Sequence, residues 1–205
     1  MSSGRAYRFG LLLAILAGYA ASAAASEGQA PFMAIAGKTS QPIGHFEFCH
    51  GHPAECAVKS RSEKRVHLTP ARWNALAAVN SAVNAAVAPA TDEEIFGKPE
   101  VWSYPTTEGD CEDYVLLKRR ELIAKGWPVG ALLITVVRQK NGDGHAVLTV
   151  LSDRGDLVLD NLQAQIKVWS QTDYQFVKRQ SEFNSGQWVS IEDARTATTV
   201  GSLQP

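Results

Sequence analysis

Cysteine is scarce in this chain. Three among 205 residues exclude a disulfide-dense scaffold, and a body of about 180 residues can bury a core without such staples. An excess of one charge is lacking too. Twenty basic against 21 acidic side chains leave a formal charge of −1, which offers no basic footprint for nucleic acid. Internal repeats and low-complexity tracts are absent from the sequence, and no second long apolar run follows the first. That first run, Gly10 to Ala20, is shorter than the ~20 residues a membrane span needs.

The run has the layout of a secretory signal. Arg5 and Arg8 form the positive region before it, and Ala21-Ser22-Ala23, or the alanines up to Ala25, form a small-residue cleavage site after it. Residues 1–25 are therefore read as a signal peptide and the remainder as exported. An uncleaved N-terminal anchor would export the body equally. Removing Arg5 and Arg8, with no acid before Glu27, takes the formal charge from −1 to −3. Residues 26–40 are expected to be a flexible lead-in, 41–192 a single domain, and 193–205 a flexible tail.

Cys49 and Cys56 bracket a short Gly- and Pro-containing turn, Cys49-His50-Gly51-His52-Pro53-Ala54-Glu55-Cys56. In an oxidising compartment a disulfide is the simpler reading, and it leaves Cys111 unpaired. The competing reading is a zinc site from Cys49, His50, His52 and Cys56, against which stands the awkwardness of adjacent ligands in a tetrahedral shell.

Gln41 to Val58 reads as turn-rich, with apolar positions at Ile43, Phe46 and Phe48. A helix is expected from Pro70, with Thr69 as its N-cap, to about Val87, burying Trp73, Leu76, Ala77, Val79, Val83 and Val87 on one face. Asn80 and Asn84, four apart, face solvent in this reading or hold the next loop. Thr91 to Gly109 reads as a long loop. A second helix then runs from an Asp110 N-cap to a Gly126 C-cap. Strand-like runs follow at Ala131–Arg138, His145–Ser152 and Gly155–Leu162, separated by Asn141-Gly142-Asp143-Gly144 and Asp153-Arg154-Gly155, with more strand between Phe176 and Ser190. Helices first and an antiparallel meander after is an α+β pattern.

One stretch stands out against this background: Gly109-Asp110-Cys111-Glu112-Asp113-Tyr114. At a helix N-terminus the dipole and unpaired amides favour a thiolate and can donate to an oxyanion. The flanking carboxylates oppose the thiolate. Either they turn away and cap the helix, or they bind a hard divalent cation through oxygen, as Ca²⁺ prefers. His145 starts a strand after a Gly-rich turn. Asp160 falls on the next strand, nearly opposite it if the hairpin turns at Asp153 and Arg154, so that a carboxylate could orient an imidazole. His45, His50, His52 and His67 read as surface or packing residues.

These residues resemble a known family, the bacterial transglutaminase-like cysteine proteinases of the papain-like and transglutaminase-like group. The resemblance rests on Gly109–Tyr114, on His145-Ala146-Val147-Leu148 and on Leu159-Asp160-Asn161-Leu162. The Val79-Asn80…Val83-Asn84 helix and the Trp102 region support it, and it spans Phe46 to Trp188. It implies a papain-like fold with N-terminal helices packed on a C-terminal antiparallel sheet, and a Cys111–His145–Asp160 triad in a periplasmic enzyme. It further implies Ca²⁺ held by Asp110, Glu112 and Asp113. The expected substrate is an exported protein such as a surface adhesin, with a membrane-bound regulatory receptor as a further partner. Peptide hydrolysis leads. Acyl transfer to an amine, as in a transglutaminase or amidase, and a non-catalytic Ca²⁺-responsive module of the same fold are the alternatives.

Overall fold

The computed structural model describes residues 30–60, 65–193 and 195, together with Met1. The expected signal peptide and nearly all of the expected tail lie outside the described residues. Within them the expected mixture of helices and antiparallel sheet is present. A seven-stranded sheet runs in the order β1-β9-β8-β4-β5-β6-β7, with every neighbouring pair antiparallel. The strands are β1 (Ala34–Thr39), β4 (Leu132–Arg138), β5 (Gly144–Ser152), β6 (Gly155–Leu159), β7 (Lys167–Val168), β8 (Gln175–Ser181) and β9 (Asn184–Glu192). β2 (Ala88–Pro89) and β3 (Glu108–Gly109) form a small parallel pair.

The helices are α1 (Ile43–Gly51), α2 (Pro53–Cys56), α3 (Pro70–Ala86), α4 (Asp92–Phe96) and α5 (Cys111–Ala124). α5 packs on β4 and β5, and α3 packs on α5. Leu122, Leu132, Leu148 and Leu159 are fully buried in the core between sheet and helices, together with Leu76 from α3. A smaller cluster on the other side of the sheet joins Val137, Val147, Val158, Trp169, Tyr174 and Phe176. Both sides of β5 are thus covered, which explains why its sequence is apolar at nearly every position.

Thr69 caps α3 as expected, its hydroxyl accepting from the Arg72 amide, with Pro70 in the first turn. α5 ends in a Schellman arrangement: Gly126 at φ 82° lets its amide reach Ile123 O while the Trp127 amide reaches Leu122 O.

Five expectations about local structure need correction. Ala34–Thr39, placed in the flexible lead-in, is an edge strand paired with β9; its backbone hydrogen bonds to the C-terminal strand, a long-range pairing that no local pattern announces. The turn-rich reading of Gln41–Val58 gives way to α1 and α2. α1 buries Gly44, His45 and Phe48 at helical spacing, while Ile43 and Phe46 point outward. Its buried face includes a histidine, so hydrophobicity alone hides the period. Asn80 and Asn84 do not face solvent: they donate to Ala164 O and Asp160 O, at 3.3 and 2.8 Å, and hold the loop that follows β6. Trp73 and Ala77, expected on the apolar face of α3, are exposed, and the Thr91–Gly109 loop contains α4.

Candidate active site

Cys49 and Cys56 are joined as a disulfide. The zinc reading of that loop is overturned, because both sulfurs are consumed and His50 and His52 donate through Nδ1 to the Phe46 and Phe48 carbonyls. Cys111 remains a free thiol. The packing role expected of His45 holds, since it is buried and Trp188 Nε1 donates to its Nδ1 at 3.2 Å.

Cys111 is the first residue of α5, with Asp110 at the N-cap position. The helix lies across β5, and the Ala146 amide donates to Cys111 Sγ at 3.3 Å. The thiol therefore lies against the residue next to His145. The histidine itself meets Asp160: His145 Nε2 is 2.9 Å from Asp160 Oδ1, and both side chains are 98 % buried. The hairpin register differs from the expected one. Leu148 pairs with Leu159, which puts Asp160 level with Val147 rather than His145. Because the offset is two residues, both side chains stay on one face as diagonal neighbours.

Two more residues complete the surroundings of Asp160: Tyr174, which sequence reasoning missed, and Asn84, which it read as facing solvent or holding a loop. Tyr174 donates its hydroxyl to Asp160 Oδ2 at 2.5 Å, and its ring lies 5.4 Å from the His145 ring. Asn84 pins the Asp160 carbonyl. Nothing local to Tyr174 advertises this contact. Burial pushes Asp160 up, but the hydrogen bonds from His145, Tyr174 and the Leu162 amide, with the His145 charge, hold it below its ordinary value.

The carboxylates around the thiol divide into two sets. Glu112 Oε2 accepts from Cys111 Sγ at 3.0 Å. Burial raises the Cys111 thiol and the Glu112 charge raises it further, against the smaller lowering effect of the Ala146 amide. The helix dipole expected to favour thiolate is thus outweighed while Glu112 faces the sulfur. Asp110 and Asp113 instead converge with Asp92, the first residue of α4, and one oxygen from each lies within 4.8 Å of the others. Asp92 was not legible as a candidate, since it comes from a helix hidden in a presumed loop. Glu112 is outside this convergence.

The α4 and loop backbone holds the cluster in shape. Asp92 Oδ2 accepts from the Val101 amide at 2.5 Å and Asp113 Oδ1 from the Ser103 amide at 2.8 Å. Asp92 Oδ1 and Asp110 Oδ1 are buried without a hydrogen-bond partner. Burial, compounded by neighbouring carboxylates, pushes Asp110 up to about 8 and Asp113 up to about 7. Orphaned oxygens, hard donors and mutual repulsion are what a divalent cation such as Ca²⁺ relieves, so the residues present fit that ion.

The model of the bacterial transglutaminase-like cysteine proteinases matches residues 35–196. The chain belongs to that family. As a member it is a cysteine protease, and its transglutaminase-like fold of helices against an antiparallel sheet agrees with a solved relative. Calcium-bound LapG of Legionella pneumophila is 28% identical with a TM-score of 0.50, over 62% of this chain and 74% of that one. EGTA-treated LapG of the same organism is 28% identical with a TM-score of 0.49, over 64% and 76%. A search of curated proteins finds no match. Among the described residues of this proteinase no helix is long and apolar enough to cross a membrane.

Proposed function

We propose that this proteinase is an exported, Ca²⁺-dependent endopeptidase that cleaves a protein substrate with Cys111 as nucleophile, His145 as general base and acid, and Asp160 as the group that orients His145. The observation that carries the reading is the junction at β5, where one residue's side chain meets Asp160 at 2.9 Å and the next residue's amide meets Cys111 Sγ at 3.3 Å. The junction supports a reading in which the thiol at the start of α5 exchanges its proton with the imidazole held by Asp160.

In this reading His145 takes the Cys111 proton as sulfur attacks the scissile carbonyl carbon, and Asp160 stabilises the imidazolium that results. The first amides of α5, which have no acceptor within the helix, donate to the carbonyl oxygen as it becomes anionic. His145 then returns the proton to the leaving amine as the peptide bond breaks. Water, deprotonated by the same histidine, releases the acyl group from sulfur. The chemistry does not separate water from an amine as the second acceptor, so transamidation is the alternative outcome of the same acyl-enzyme.

Asp92, Asp110 and Asp113 would hold Ca²⁺; Glu112, expected from sequence as a ligand together with Asp110 and Asp113, accepts from Cys111 Sγ instead. The ion would supply positive charge near a thiol whose flanking side chains are acids. The calcium named for the bound LapG structure supports this assignment. Export to the periplasm follows from the Arg5–Ala25 leader pattern. A surface adhesin as the substrate and a membrane-bound receptor as regulator belong to the same reading.

The test is a comparison of exported-protein N-termini between cells carrying the parent gene and Cys111→Ala. New termini present only with the parent identify the substrate. Identical termini in the two, with the variant folded, would remove the protease reading for Cys111.

A further inference from the structure

We propose that Tyr174 is a positioning residue of the reaction, whose hydroxyl fixes the Asp160 carboxylate so that one defined oxygen serves His145. The proposal rests on the Cys111–His145–Asp160 reading above. Its basis is the distribution of partners over the two carboxylate oxygens. Oδ1 takes both His145 Nε2, at 2.9 Å, and the Leu162 amide, at 3.0 Å. Oδ2 takes Tyr174 at 2.5 Å. Each oxygen has its own donors, so rotation of the carboxylate would break three bonds at once.

The alternative to Tyr174 is water rather than another side chain. A cavity of about 80 Å³ lined by Asp160, Tyr174, Gln163, Gln165 and Thr172 adjoins the carboxylate, and it is roomy enough to hold water if the hydroxyl is removed. A mobile water can follow either oxygen, whereas a phenol anchored in a chain segment cannot. The segment is anchored. Thr172 Oγ1 donates to Trp169 O at 2.8 Å, Arg195 Nη1 donates to Thr172 O at 2.8 Å, and Trp169 packs edge-on against Phe176. Tyr174 also carries the imidazole on its ring, at 5.4 Å, so its two ends address the two partners of one hydrogen bond.

The charged and titratable groups facing Asp160 come from every element around it. They are His145 from β5, Tyr174 ahead of β8, and the buried Lys118 from α5, whose ammonium is pushed down to about 7 by burial and held up by the Asp160 charge. Asp173 and Lys167 lie at the cavity. Of these, His145 and Tyr174 hydrogen-bond the carboxylate.

Tyr174→Phe keeps the ring and deletes the hydroxyl. The measurement is the pH dependence of Cys111 alkylation by iodoacetamide on the full chain, for the parent, Tyr174→Phe and Asp160→Asn, with melting temperatures alongside. Without the hydroxyl the carboxylate is free to turn away from His145, so the imidazolium and the thiolate it supports are less stabilised. The acid limb of the Tyr174→Phe profile should therefore move to higher pH, and its plateau rate should fall roughly three- to tenfold towards that of Asp160→Asn. A Tyr174→Phe profile superimposable on the parent, with only a lower melting temperature, overturns the proposal and leaves Tyr174 a packing residue. Superimposable profiles for the parent and Asp160→Asn would instead bring down the triad reading, and this proposal with it.

Discussion

Replacing Asp92 by Asn probes the acid cluster without touching the thiol or its two partners. Three carboxyl oxygens lie within 4.8 Å of one another, and at that spacing each ionised pair repels by about 3 kcal/mol at an effective dielectric near 20. The protein without cation answers by keeping protons, which is why Asp110 is pushed up to about 8 and Asp113 up to about 7. The sign of the pH dependence follows. A carboxyl whose folded pKa lies above its unfolded value near 4 favours folding only while protonated, so the stability it contributes is lost as pH rises through 7 to 8. In EGTA the melting temperature should therefore fall between pH 5 and pH 8.5.

Ca²⁺ at a hundred times its dissociation constant stabilises by about 2.7 kcal/mol, which for a domain of this size is ~5–10 °C. If Asp92→Asn weakens binding a hundredfold, the same Ca²⁺ concentration leaves only about 0.4 kcal/mol. The variant should also melt higher than the parent in EGTA at pH 8, having lost one of three charges. Scanning calorimetry of both proteins in Ca²⁺ and in EGTA reads all of this. A Ca²⁺ increment of equal size in parent and variant would refute the reasoning, as would a parent whose EGTA melting temperature rises from pH 5 to pH 8.5.

Two further expectations concern α1 and its disulfide. Cys49–Cys56 closes a loop with a sequence separation of 7, for which the loop-entropy model gives about 2.5 kcal/mol; the Cys49→Ser/Cys56→Ser variant should accordingly unfold ~5–10 °C lower, and an unchanged midpoint would dismiss the bridge as a stabiliser. His45 is pushed down to about 4 by burial and secondarily by Arg119. The unfolded chain therefore takes up that proton first, and stability should fall by roughly 3 kcal/mol as pH drops from 6.5 to 4, a slope that urea titrations of His45→Gln should flatten; an equal slope in the variant would assign it to other groups.

Much of the chemistry was legible because it is written in short contiguous words. Gly109–Tyr114 announces a thiol at a helix start, and the strands bearing His145 and Asp160 are set off by Gly-containing turns that fix their existence, if not their register. The two-residue error in that register was harmless because a strand repeats every two residues. What escaped notice depends on contacts between distant segments. Asp92 meets Asp110 and Asp113 only after α4 folds back, and Tyr174 reaches Asp160 from the far end of the sheet's β7–β8 link. α1 was hidden for a different reason: its inward face is Gly44, His45 and Phe48, and Gly44 is there because any larger residue would collide with Trp102, where an added Cβ would come within 2.3 Å.

The pairing of Ala34–Thr39 with Asn184–Glu192 has a consequence for biogenesis. The strand that leads the described chain finds its partner only once almost all of the domain has been delivered, so sheet closure is a late, long-range event with a high loop-entropy cost. A nascent or partly translocated polypeptide therefore cannot complete this sheet ahead of its last strand. That ordering would suit the export proposed above, with assembly deferred until the chain has crossed a membrane.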